Sequence, residues 1–199
     1  DVELFKSQFR AMGRNLPIQD ISEKKIPRDD DYTSLAYLLI QTMSLSDSEW
    51  NTWASENFDV EQTARYLSIH NYFGVGDTAA KNFYIGLHDG RYILLPWDNE
   101  ASLGVVRSDY YPVNGNNILT ERLLAPGSPI REEYDRIMDE YFFLSDSLLS
   151  RIVDKVEELY GDIDTAIYYD SNRYWSYDAF RDERDFVLDY LNTRTNKIR

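Results

Sequence analysis

Cysteine is absent from this 199-residue chain, which removes disulfides, zinc–thiolate centres and cysteine nucleophiles from consideration. Histidine is scarce. The two residues, His70 and His88, do not make a convincing zinc site without thiolate partners. No G-x-x-x-x-G-K-[ST] loop and no nucleophile elbow with a Ser-His-Asp set is present. No apolar run approaches the length of a membrane-spanning helix. Positive charge is also short: 21 Lys and Arg face 35 Asp and Glu, for a formal charge of −14. That balance argues against nucleic acid and anionic membrane as partners, and reads as a solubilising surface. There is no signal peptide and no initiating Met, so the chain reads as cut from a longer protein.

What is present is apolar and aromatic mass. The chain is 43% hydrophobic, with 16 Tyr, 9 Phe and 4 Trp, enough for a substantial core in one domain or one large lobe. Residues 7–31 read as an irregular, charged connector. Helices are predicted over Thr33–Met43, over Ser46–Glu56 behind a Ser46-x-x-Glu49 capping box, and over Asp59–Phe73 with Asp59 as N-cap. A short helix over Asn117–Leu124 stops at Pro126-Gly127, and Pro129–Leu144 follows. Leu148, Leu149, Ile152, Val156 and Leu159 repeat at helical spacing, with Gly161 expected to end their helix. Asp162–Tyr169 is a further candidate, and Tyr177–Lys197 is the terminal helix. His70 is expected to be packed or partly exposed and His88 exposed. The Tyr110-Tyr111-Pro112 run reads as a packing patch before a substrate-facing one.

The most specific stretch runs from Gly76 to Gly104. Phe83–Leu87 and Arg91–Leu95 are rich in β-formers, and Asp89-Gly90 between them favours a two-residue type I′ turn. That turn pairs His88 with Arg91 and Leu87 with Tyr92. Continued outward, it sets Asn82 opposite Trp97, one residue from Asp98. The Asn82 carboxamide and the Asp98 carboxylate then meet at the open end of the hairpin, offering the oxygen ligands a hard divalent cation prefers. Alternation puts Tyr92 and Asp98 on one face of the second strand. Asp77 and Asn82 are spaced D-x-x-x-x-N, which in protein kinases supplies a catalytic base and a magnesium ligand. The spacing alone is weak, since Asp109 and Asn114 match it too.

Beyond spacing, Phe58-Asp59-Val60, Gly76-Asp77, Asn82-Phe83-Tyr84 and above all Leu95-Pro96-Trp97-Asp98-Asn99-Glu100 with Gly104 resemble the CotH kinase family. Asp29-Asp30-Asp31-Tyr32 before Leu35, Leu123-Leu124 with Pro129, Arg131 and Tyr134, and Arg194 in the last helix extend the likeness over most of the chain. Two departures stand out. Glu100 occupies a position where the family often has Asp, and only Asp1–Lys6 precedes the helical part, so the small nucleotide-covering lobe is expected to lie mostly upstream of residue 1. The resemblance implies an α+β, mainly α fold: the large C-terminal lobe of a kinase-like domain, with a small β-hairpin carrying the metal site. It implies transfer of the γ-phosphoryl group of ATP to Ser/Thr of coat or cell-surface proteins. By the same resemblance Asp77 is expected to be the catalytic residue, and Asn82 and Asp98 to hold Mg²⁺ or Mn²⁺ with Glu100 assisting. Lys6, in a Leu-Phe-Lys element, is a candidate phosphate contact, weighed against a solvated lysine at a frayed terminus. Tyr92 is a candidate for stacking on adenine, weighed against core packing. The family likeness also implies a secreted, cell-surface or spore-coat location. The fragment itself is expected to transfer little phosphate. The rival reading is a non-catalytic surface module that binds another protein through its acidic face, and paired carboxylates in a glycosidase are a more remote one.

Overall fold

The computed structural model describes residues 2–7, 18–76, 82–105, 111, 112, 114, 115, 117–144 and 146–199. It is an α+β protein, mainly helical. Strands β3 (Phe83–His88) and β4 (Arg91–Pro96) form the expected hairpin, in register from His88↔Arg91 to Phe83↔Pro96. Asp89 and Gly90 have φ of 49° and 76°. Both are left-handed, as a type I′ turn requires.

The hairpin is only half of the sheet. Strand β1 (Val2–Ser7) pairs antiparallel with β3, Phe5 opposite Ile85 and Lys6 opposite Tyr84. On its other side β1 pairs with β2 (Ser22–Ile26), giving a four-stranded antiparallel sheet of order β2-β1-β3-β4. The expected hairpin is thus joined by two further strands, and the irregular connector expected over residues 7–31 is corrected where it is described: a helical turn, α1 (Ile18–Ile21), leads into β2, while residues 8–17 lie outside the described residues. The sequence of β2, Ser-Glu-Lys-Lys-Ile, has little strand propensity; its partner and an ion cluster around the buried Lys24 hold it. The Lys24 ammonium lies 2.9 Å from Glu3 and 2.8 Å from Asp29 and donates to the Asp31 carbonyl at 2.6 Å. Burial alone would lower the Lys24 pKa, but these carboxylates outweigh it and the net direction is upward.

One face of the sheet, with Phe5, Phe83, Ile85, Tyr92 and Leu94, packs on helices α2 (Thr33–Ser44), α3 (Asp47–Asn57) and α4 (Val60–Tyr72). Fully buried Leu35, Leu38, Trp50, Phe58 and Ala64 meet it from the helical side. Each large side chain so buried contributes on the order of 1.5–3 kcal/mol. The predicted caps are present: Ser46 and Glu49 form the reciprocal capping box, and Asp59 accepts from the Gln62 amide at 3.0 Å. The same corner closes the outer edge of β4, because Asp59 N–H donates to the Tyr92 carbonyl and Gln62 Nε2 to that of Leu94. An edge occupied in this way cannot recruit another strand.

Helices α5 (Ile118–Leu123) and α6 (Pro129–Ile137) follow, and α6 runs into a π-helical turn, Met138–Phe143. That turn stacks Phe142 on Tyr72 at 4.2 Å between ring centres. Thr195 donates to the Phe142 carbonyl at 3.3 Å. Helix α7 (Asp146–Tyr169) passes straight through Gly161. The break expected there does not occur, since glycine in a helix costs only about 1 kcal/mol against alanine and the neighbouring turns carry it. Helix α8 (Tyr177–Ile198) returns along α7, and Val187, Tyr190 and Leu191 form a second, smaller core with Ile152, Val153 and Val156.

Candidate active site

The open end of the hairpin is where sequence and structure converge. Trp97 N–H donates to the Asn82 carbonyl at 3.3 Å, extending the ladder one pair past Phe83↔Pro96. The Asn82 carboxamide reaches Asp98, donating from Nδ2 to its main-chain carbonyl at 3.1 Å. Asn82 is 4% exposed, whereas Asp98 is exposed to solvent. Both residues have left-handed backbones, φ 66° and 53°. Asn and Asp are the non-glycine residues that tolerate this region best, yet it still requires support from outside. Strand β4 ends at Pro96, so its alternation does not extend to Asp98. Tyr92 and Asp98 therefore do not share a working surface: Tyr92 is 4% exposed and donates to the Ser34 carbonyl at 2.7 Å, with Trp53 and Phe58 against its ring. Core packing is the reading that holds for Tyr92. Such a ring offers adenine no face, and burial pushes its hydroxyl pKa upward.

The loop after Asp98 is sewn to the end of α4. Gly76 N–H donates to the Ala101 carbonyl at 2.9 Å and Leu103 N–H to the Phe73 carbonyl at 2.8 Å. Gly104, φ 85°, lies under Tyr190: a Cβ there would sit 2.8 Å from the Tyr190 ring and 3.1 Å from that of Phe186. The end of α4 is itself anchored by Arg194. This fully buried guanidinium donates to the Tyr72 carbonyl at 2.7 Å and the Asn71 carbonyl at 3.0 Å, between the rings of Tyr111 and Tyr190. A cation at a helix C-terminus satisfies carbonyls that the helix leaves unpaired and complements its dipole. Asp77 lies outside the described residues. The residue before it, Gly76, is bonded directly to the loop that carries Asp98.

Lys6 is not on a frayed end, since β1 is an interior strand of the sheet. Its ammonium stands 5.1 Å from the centre of the Trp97 ring, a cation–π contact, and Trp97 in turn packs edge-on against Tyr84 at 5.5 Å. A positive charge is thus held beside the Trp97-Asp98 step. Glu100 is exposed, two residues past Asp98. Among the described residues no three His, Asp or Glu side chains cluster as a metal cage. The residue types would suit a hard divalent cation: Asp98 and Glu100 carry exposed carboxylates, and Asn82 carries a carboxamide whose nitrogen donates to Asp98. A hard cation held by one or two carboxylates takes its remaining ligands from water and phosphate.

One contact was not foreseen. His70, 4% exposed near the end of α4, has Nδ1 2.9 Å from the Tyr66 carbonyl and Nε2 3.2 Å from the Asn99 Oδ1 position, with its ring stacked on Tyr66 at 3.9 Å. Burial lowers the His70 pKa, opposed by these two hydrogen bonds. Helical spacing puts His70 on a buried face, but nothing in the sequence pairs it with a residue 29 positions away. His88, as expected, is exposed beside the turn.

The open end of the hairpin thus brings Asn82 to Asp98, and the loop after Asp98 is joined to the end of α4. The family model of the CotH kinase protein matches residues 6–198, nearly the whole chain, and the chain belongs to that family. No curated protein matches it.

Proposed function

We propose that the chain forms the metal-binding and acceptor-binding part of a protein kinase that transfers the γ-phosphoryl group of ATP to Ser or Thr hydroxyls of coat or cell-surface proteins. The observation that carries this reading is the union of two loops. Asn82 meets Asp98 at the end of the hairpin, while the Gly76 N–H, just before Asp77, is tied to Ala101, just after Glu100. Mg²⁺ or Mn²⁺ bound there neutralises the phosphates of ATP. Asp98 and Asn82 hold that cation, with Glu100 as an added carboxylate. Lys6, fixed over Trp97, faces phosphate oxygens. Asp77 orients the acceptor hydroxyl and takes its proton. The catalytic contribution is positioning and charge stabilisation, with no covalent intermediate on the protein. A bacterial cell-surface or spore-coat location accompanies this reading. No helix among the described residues is long and apolar enough to cross a membrane.

The test is phosphate incorporation from radiolabelled ATP with Mn²⁺. Asp98→Ala should abolish transfer. Asp77→Ala should lower turnover and leave nucleotide affinity largely intact. Unchanged incorporation in both variants would remove the assigned roles. One feature favours a second reading, a non-catalytic surface module: at the α7–α8 turn Tyr169, Tyr174 and Trp175 are 77%, 89% and 71% exposed. Exposed aromatic clusters of this kind mark interaction surfaces. Partner binding that survives loss of Asp77 and Asp98 but not of Trp175 would favour that reading.

A further inference from the structure

We propose that His70 is a positioning residue for the cation site, acting through Asn99 to hold Asp98 in its left-handed conformation. The inference rests on the metal-site reading above. Asp98 sits at φ 53°, a backbone state that an L-residue keeps only when its surroundings fix it. On its N-terminal side the constraint comes from the hairpin, through Asn82 and the Trp97 ladder bond. On its C-terminal side the first residue is Asn99, which is exposed, and its side chain reaches back to Nε2 of the buried His70. The two contacts grip Asp98 from opposite flanks, one from the sheet and one from α4.

The chemistry of the second grip follows from the first nitrogen. Nδ1 faces a carbonyl oxygen, so it carries the ring proton and donates to Tyr66. In a neutral imidazole Nε2 is then an acceptor. The Asn99 carboxamide satisfies it by presenting its NH₂ group, a half-turn that exchanges oxygen and nitrogen positions indistinguishable in shape. Tyr66 fixes the tautomer, His70 accepts from Asn99, and Asn99 fixes the peptide that carries Asp98. Outer groups that orient a metal ligand in this way typically change affinity by about 10- to 100-fold when removed.

The experiment measures the affinity of Mn²⁺ for the protein, with and without ATP, by electron paramagnetic resonance of the free ion. The variants are His70→Phe, Asn99→Ala, the double variant and His70→Gln. Phenylalanine keeps the ring that stacks on Tyr66 and deletes the acceptor; glutamine restores an acceptor. Each single variant should weaken Mn²⁺ binding roughly tenfold, the double variant no more than either single one, and His70→Gln should recover most of the loss. A purely structural His70 would lower the unfolding midpoint without moving Mn²⁺ affinity. Unchanged affinity in Asn99→Ala, or losses that multiply to about a hundredfold in the double variant, would overturn the proposal, since independent sites add in free energy. Asn99 is exposed, so its variant decides the question even if His70→Phe does not fold. Failure of the wild type to bind Mn²⁺ at all would instead bring down the metal site itself, and this role with it.

Discussion

Replacing Gly104 with alanine is the sharpest test of how the loop after Asp98 is held. Two costs add at this position. Its φ of 85° lies in the left-handed region, where an L-residue costs roughly 1–2 kcal/mol. The new methyl would also sit 2.8 Å from Tyr190 Cδ2 and 3.1 Å from Phe186 Cζ. Tyr190 cannot simply retreat. It is 2% exposed, packed with Val187 and Leu191, in contact with the Arg194 guanidinium, and its hydroxyl donates to the Tyr72 carbonyl at 3.4 Å. Overpacking of such a site costs about 1–3 kcal/mol. The sum is about 2–5 kcal/mol, a large part of the roughly 5–15 kcal/mol that stabilises a typical domain. Urea unfolding followed by circular dichroism should show the midpoint fall by about 1–2.5 M, for a slope near 2 kcal/mol/M. The thermal midpoint should fall by about 4–20 °C. A loss below about 0.5 kcal/mol would refute the reasoning. It would mean that the loop leaves Tyr190 at little cost, and that Gly104 does not set the approach of α8 to the site.

Two further outcomes are expected. Gly161→Ala should raise stability by about 0.5–1 kcal/mol in the same urea assay, because the position is helical and exposed and a Cβ there meets nothing within 4 Å. For His70, burial puts the folded pKa below the unfolded value of 6.5. The unfolded chain therefore binds the extra proton, and this group's contribution to stability is lost as pH falls from 6.5 towards the folded pKa. The wild type should lose stability relative to His70→Phe between pH 7.5 and 5, read as the difference in urea midpoints. A difference independent of pH would show that the imidazole titrates alike in both states.

How far the sequence reached depended on whether the determining contacts were local. The Asp89-Gly90 turn fixes the register of both its strands, so the meeting of Asn82 with the Trp97-Asp98 step follows from six residue pairs counted outward. Caps are equally local, and Ser46, Asp59 and Ser176 each accept from an amide three residues on. Strand β2 escaped notice because its stability comes from β1 and from Lys24 pairing with Glu3, 21 positions away. The alternation rule has no reach at Asp98 because β4 ends at Pro96 and Asp98 itself has a left-handed backbone. Gly161 misled for the opposite reason: glycine permits a helix end but does not impose one, and α7 meets α8 past it, where Tyr177 donates to Asp164 and packs edge-on against Tyr168.

The placement of β1 has a consequence for how the sheet is assembled during synthesis. This interior strand leaves the ribosome before both of its neighbours, and one of them, β3, begins only at Phe83. At about 5–20 residues per second, β1 waits several seconds for that partner. In the interval β2, a charged strand of low propensity, is the partner that the described residues offer it. The β1–β2 pair thus presents an unsatisfied edge and the aromatic face of Phe5 until the hairpin arrives and closes the sheet. The hairpin that carries Asn82 and leads to Asp98 is therefore both the candidate site and the closing piece. A nascent chain stalled before residue 96 would expose a sheet edge open to pairing with a neighbouring molecule.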